Sequence, residues 1–194
     1  MSSRERAPFV CQPVSTTRWR NQSKVDPSRT ALREATYILR TRFEWDEQRR
    51  GAGRKFIDFA KRGEDLFVRV PILPAAPPWW ATKPFLRWKK ADEAAERTGR
   101  PDEIRAWHVV ADLPMRCSKG EWVDRTEAMV RAVLPSKTIA DFAVHVPSDG
   151  TPPHMHLLTA ARYAEDDHYG GVAFCLYRRL NERLRATWVD WLGA

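Results

Sequence analysis

The sequence lacks any apolar run approaching the roughly 20 residues that a membrane-spanning helix needs. Its opening residues, Met1 to Arg6, carry charges with no apolar core behind them, which argues against a secretory signal. Cysteine is scarce: Cys11, Cys117 and Cys175 are isolated, odd in number and form no CxxC pair, a pattern of a reducing compartment. There is no internal repeat, no low-complexity tract and no GxxxxGK(S/T) phosphate loop. Excess acid is missing too. Of 194 residues, 33 are Lys or Arg and 25 are Asp or Glu, for a net charge of +8.

That charge is unevenly placed. Residues 1–62 hold 15 Lys/Arg against 7 Asp/Glu, and the rest of the chain balances at 18 against 18. A basic segment on a neutral body is an electrostatic footprint for a polyanion, with solubility as the plain alternative. With 43% hydrophobic and 30% charged residues, the chain reads as one globular domain over 1–194. Nine Trp is rich for this length. Exposed Trp can stack on bases, and buried Trp builds core.

Patterning suggests a strand at 8–14, interrupted by proline, and a helix that starts at Asp26-Pro27-Ser28 and runs to about Arg42. Residues 47–54 read as a basic turn, and 55–60 as a possible strand. The segment 71–84 (PILPAAPPWWATKP) holds five prolines and reads as a loop or extended crossing rather than a linker. Helices are expected over about 83–97, from a Ser118/Glu121 capping box to Pro135, and near the C-terminus through Leu176, Leu180, Leu184 and Trp188. Strands are expected over 105–113, 140–146 and 154–161. The order implies an α+β fold with a mainly antiparallel central sheet flanked by helices.

The strongest chemical signal is the run from His145 to His154-Met155-His156. Residues two apart in a strand share a face, so His154 and His156 point the same way, and His145 shares its face with Ala143 and Asp141. If the two strands pair, three imidazoles converge on one side of the sheet while Phe142, Val144, Met155 and Leu157 pack on the other. Three His ligands leave coordination positions open for catalysis, and a metal there can polarise a phosphoryl oxygen. Asp141 is a candidate to orient a ligand ring. Histidines that are merely structural, or a structural metal, are the alternatives.

On the helix from Thr30, Tyr37 lies about 200° from the apolar stripe centred near Ala35 at 100° per residue. Arg33 and Arg40 stand one turn either side of it. A tyrosine between guanidinium groups can attack a phosphodiester and hold the resulting phosphate. A half-exposed tyrosine on a solvated basic face is the alternative. Arg29, Arg33, Arg40, Arg49, Arg50, Arg54 and Lys55 could track a nucleic-acid backbone, as could Arg18, Arg20 and Lys24. Trp79 and Trp80 are candidates for base stacking, against burial on the sheet. Glu165-Asp166-Asp167-His168 resembles a metal-ligand string and reads better as a polar loop.

Three segments, in this order, resemble the MobA/MobL-type (MobQ-class) mobilisation relaxases of the histidine–hydrophobe–histidine endonuclease superfamily. They are the tyrosine helix from Ser28 to Ile38, the strand ending Ala111-Asp112-Leu113-Pro114, and the histidine run from His145 to His156. The resemblance implies a sheet flanked by helices. It also implies strand-specific nicking and rejoining of single-stranded DNA at a plasmid or mobile-element transfer origin, through a 5′-phosphotyrosyl intermediate. Carried over residue by residue, it makes Tyr37 the nucleophile and His145, His154 and His156 the ligands of one Mg²⁺ or Mn²⁺ ion. It further implies the bacterial cytoplasm, with accessory relaxosome and coupling proteins as candidate partners; the oligomeric state is left open, a monomer being favoured. Relatives carry acids on the strand before Leu-Pro where this chain has His108 and Val110, so His108 becomes a candidate base or fourth ligand. Asp112, on the same strand face, is a second candidate. A replication initiator or transposase with the same chemistry, and a homologue that binds single-stranded DNA without cutting it, are the rival readings.

Overall fold

The computed structural model describes residues 8–16, 29–41, 63–100 and 102–193. Five strands form one antiparallel sheet: β1 (Phe9–Val14), β2 (Leu66–Ile72), β3 (Ala106–Asp112), β4 (Ala140–His145) and β5 (His154–Ala160), in the order β1-β3-β5-β4-β2. A separate short hairpin pairs β6 (Arg162–Ala164) with β7 (Tyr169–Val172). The expected α+β class with helices flanking an antiparallel sheet is what the chain adopts.

The sheet is apolar on one face and mixed on the other, because period-2 alternation sends successive side chains to opposite sides. On the apolar face, Phe9, Val109, Ala111, Phe142, Val144, Met155 and Leu157 are buried. Helix α3 (Lys119–Val133) covers them with Trp122 and Val130. The C-terminal helix α4 adds Leu176, Leu180, Leu184 and Trp188; it runs through Leu176–Arg178, a π-helical turn at Arg179–Leu184, and Arg185–Gly193. On the histidine face lie α1 (Ala31–Ile38) and α2 (Pro84–Glu96), which pack Leu32, Ala35, Ile38, Trp88 and Ala91 with Trp80 onto Ala143, Leu158 and Ala160.

Local chemistry fixes the ends of these helices. The Thr30 hydroxyl accepts from the Arg33 N–H at 3.2 Å and caps α1. The Asp92 carboxylate of α2 accepts from the Ala31 and Leu32 N–H groups at 2.7 and 3.0 Å, which pins the start of α1 to its neighbour. The helix ends at Ile38, earlier than the expected Arg42: Leu39 is the C-cap, Arg40 turns left-handed at φ 46°, and the Thr41 N–H returns to the Thr36 carbonyl at 3.3 Å. Pro84 opens α2, where its missing N–H costs nothing. The capping box of Ser118 and Glu121 at α3 is present as expected.

Strand β2 was not expected, since Pro71 in it reads as the start of a loop. It is an edge strand, where an absent N–H breaks no ladder, and β1 carries Pro13 at the other edge for the same reason. The expected basic turn at 47–54, the strand at 55–60 and the helix start at Asp26 to Ser28 lie outside the described residues. No helix among the described residues is long and apolar enough to cross a membrane.

Candidate functional site

The three histidines meet because β4 and β5 pair in one register. His145 stands opposite His154, and Ala143 opposite His156, so all three rings rise on one face. The connecting loop holds that register: Asp149 Oδ1 accepts from the Thr151 N–H at 3.0 Å, and Gly150 takes φ +86°, a conformation that favours glycine. Each histidine offers a ligand atom, and the three atoms lie within 4.8 Å of one another, all three residues being buried. Among the described residues this is the one such group that could hold a metal ion.

The hydrogen bonds set the state of each ring. His154 Nδ1–H donates to the Pro152 carbonyl at 2.9 Å, so a neutral His154 has its unprotonated nitrogen at Nε2. His156 Nδ1 faces His108 Nε2 at 2.9 Å, while His156 Nε2 is buried with no hydrogen-bond partner among the described residues. A bare, buried imidazole nitrogen beside two other imidazoles fits a metal ligand, because otherwise its lost hydration is uncompensated. His145 is engaged at both nitrogens. Its Nε2–H donates to the Ile38 carbonyl at 2.8 Å, and its Nδ1 accepts from Arg40 Nη2 at 3.2 Å. To act as a ligand it would exchange one of these bonds. Burial, then the charge of Arg40, pushes His145 down to about 4. Burial and the neighbouring His108 hold His156 well below the usual imidazole range. Both rings are therefore neutral, as metal ligation requires.

Tyr37 is half-buried on α1, and its ring meets His156 edge-on, centroids 5.3 Å apart. It therefore turns toward the histidines rather than outward on a solvated face. Arg40 lies beside it, but not one helical turn along as expected. From its left-handed position the guanidinium sits 4.8 Å over the Tyr37 ring and donates to the Tyr37 carbonyl at 2.8 Å. It also grips Asp65 through two bonds, at 2.9 and 2.7 Å. Those bonds from Arg40 hold the Asp65 carboxyl below its ordinary range. Arg40 is thus a buried hub tying the tyrosine to His145, not an outward phosphate contact.

Several expected roles change. The Asp141 carboxylate orients no histidine among the described residues. It accepts from Arg87 Nη1 and from Trp88 Nε1, the latter at 2.7 Å, as a structural pair under α2. Burial raises its carboxyl, against the pull of Arg87. His108 stands behind His156 instead of joining the ligand group, with Nδ1 3.4 Å from Glu34 Oε2. Arg29 places its Nε on Glu34 Oε1 at 3.0 Å, which leaves its side chain 15% exposed. Arg33 is half-buried, one turn before Tyr37. Trp80 is fully buried, its Nε1–H near the Glu165 and Asp166 carbonyls, so it cannot stack on a base; Trp79, 66% exposed, can. The Glu165 to His168 string is the turn of the β6–β7 hairpin and forms no metal group. Arg18, Arg20, Lys24, Arg49, Arg50, Arg54 and Lys55 lie outside the described residues.

Two participants were missed by the sequence reading, Glu34 and Asp65. Glu34 carried a faint signal: it lies three residues before Tyr37 on the same helix. Burial would raise its carboxyl, but His108 and Arg29 overcome that and hold it below its ordinary value.

No protein-family model and no curated protein matches the sequence. A solved structure described as the molecular basis of vancomycin resistance transfer in Staphylococcus aureus superimposes with a TM-score of 0.68 at 15% identity, over 95% of this chain and 89% of that one. This chain is similar to that protein in fold.

Proposed function

We propose that this protein is a metal-dependent relaxase that nicks and rejoins single-stranded DNA at a transfer origin of a plasmid or mobile element. The observation that carries the reading is the meeting of Tyr37, from α1, with three buried imidazoles from β4 and β5. The fold shared with a protein described by its part in resistance transfer supports it. In this reading the Tyr37 hydroxyl oxygen bonds to the scissile phosphorus as the bond from phosphorus to the 3′-oxygen breaks. The phenolic proton is released and the departing 3′-oxygen takes one up, leaving a 5′-phosphotyrosyl link and a free 3′-hydroxyl. His145, His154 and His156 would hold a divalent ion, which supplies Lewis-acid polarisation of a phosphoryl oxygen. An all-imidazole donor set is softer than the oxygen shell Mg²⁺ prefers, so Mn²⁺ is the ion of first choice. Arg40, braced by Asp65, fixes the tyrosine against the histidines.

The test is covalent capture. Wild type with Mn²⁺ and single-stranded DNA carrying the origin of its own element forms a denaturation-resistant adduct. Tyr37→Phe forms none and keeps its affinity for the strand. A second reading, a strand-binding homologue that does not cut, is favoured by the two hydrogen bonds that occupy both nitrogens of His145. Strand binding without adduct, at saturating Mn²⁺, selects it.

A further inference from the structure

A chain of polar groups runs from α1 through β3 to β5. Arg29 Nε holds Glu34 Oε1 at 3.0 Å, and the other carboxylate oxygen, Oε2, lies 3.4 Å from His108 Nδ1, within ion-pair reach but without a formed hydrogen bond. His108 Nε2 is 2.9 Å from His156 Nδ1, and the two rings are stacked. Beyond them His156 Nε2 is buried with no hydrogen-bond partner among the described residues. His108 and His156 are both nearly free of solvent, so water does not set their tautomers.

For two neutral imidazoles the direction of this chain has two settings. If His108 carried its proton on Nε2, its Nδ1 lone pair would face the Glu34 carboxylate, and His156 would be forced to bury an Nε2–H without an acceptor. Both features are unfavourable. With the opposite setting, His108 Nδ1–H points at Glu34, His108 Nε2 accepts from His156 Nδ1–H, and the His156 Nε2 lone pair faces the other histidines. We propose that Glu34 and His108 are positioning residues: a relay that starts on the tyrosine helix and locks His156 in the tautomer with its ligand nitrogen bare. This rests on the reading of the three histidines as a metal site. It places the carboxylate that orients a ligand ring on the helix of Tyr37, one histidine removed from the ligand, in the role the sequence suggested for Asp141.

Two measurements test it, neither needing DNA. Long-range ¹H–¹⁵N spectra of the imidazole rings, recorded on metal-free wild type above the imidazole titration range at about pH 8, show which nitrogen carries each proton. The relay requires His156 and His108 both to be protonated at Nδ1; an Nε2–H on His156 overturns it. Mn²⁺ titration by calorimetry then compares wild type with Glu34→Gln, His108→Phe and Asp141→Asn. Each of the first two weakens binding by about tenfold or more, and Asp141→Asn leaves the affinity of the folded protein unchanged. Affinities equal to wild type in both relay variants overturn the proposal. If those variants do not fold, the wild-type tautomers decide alone. If wild type binds no Mn²⁺, the metal reading fails while the spectra still test the relay. If Mn²⁺ binds and weakens as stated but no DNA adduct forms, the relay stands and the nicking reading fails.

Discussion

Arg40 bears more of the site than any other cation that the structure describes. Its φ of 46° is a left-handed conformation that costs an L-residue with a Cβ about 1 kcal/mol or more. Glycine is the usual occupant of that position after a helix. The arginine is kept there by what its guanidinium reaches: Asp65 through two bonds, the Tyr37 carbonyl and ring, and His145 Nδ1. Two opposed effects can therefore be separated by mutation. Arg40→Ala loses the buried pairing and keeps the strain, and is expected to destabilise the fold by about 3 kcal/mol. Arg40→Gly loses the same contacts but relieves the strain, so it should be more stable than the alanine variant by about 1 kcal/mol. Urea midpoints of the three proteins read both differences, and an alanine variant as stable as the glycine one would show that the strain is not there. The sequence placed Arg40 next to Tyr37 correctly, but by helical spacing. The helix ends at Ile38, and the neighbourhood arises from a reversal of the chain that no periodicity encodes.

Among the elements, α3 shows how much a local signal can fix. The Ser118 hydroxyl accepts from the Glu121 N–H at 3.3 Å, and the Ser118 N–H donates to Glu121 Oε2 at 2.8 Å. That second bond holds the Glu121 carboxyl below its ordinary value of 4.5. A carboxyl depressed in the folded state stabilises above its unfolded pKa, and that stabilisation is lost as the pH falls through the folded one. Ser118→Ala should cost about 1 kcal/mol near neutral pH. Glu121→Gln should be less stable than wild type at neutral pH, with the gap closing in acid well below 4.5. Denaturant melts at both pH values check this, and a gap that persists in acid would rule out the carboxylate bond. The same kind of local signal made α2, α3, β1, β3, β4 and β5 legible, each from period and caps. It failed at β2, whose Leu66–Ile72 alternation was masked by Pro71, since only an edge position makes that proline harmless and edge position is a property of the sheet. It failed also at β6 and β7, three and four residues long, where there is too little sequence for a period to show.

Across the whole molecule, the candidate site divides the same way. The three histidines were legible because strand alternation and one turn suffice to bring them together. Glu34 and Asp65 were not, and His108 was named as a candidate base or ligand rather than as the neighbour of a ligand, because these placements depend on how α1 docks over the sheet and where β2 begins. Charge follows a third logic, since it is legible by counting. Residues 1–62 carry the entire excess of +8, and the remainder of the chain is balanced. Two cations of that basic segment are consumed inside the fold: Arg29 on Glu34 and Arg40 on Asp65. On the proposed function, affinity for a phosphate backbone would then rest on others, of which Arg49, Arg50, Arg54 and Lys55 are the densest group. Each phosphate neutralised on single-stranded DNA contributes about 0.7 to the slope of log affinity against log salt. Replacing those four by glutamine should flatten the slope by as much as about 3. The loss should be the same for any strand sequence, because backbone contacts carry no base information. Mn²⁺ affinity should not move, since arginine and lysine are charged donors at neutral pH and not metal ligands. Fluorescence anisotropy across a salt series reads the slope directly. A variant slope equal to wild type would shift the binding surface onto the charge-balanced body, where shape and exposed aromatics such as Trp79 would have to supply the affinity that charge does not.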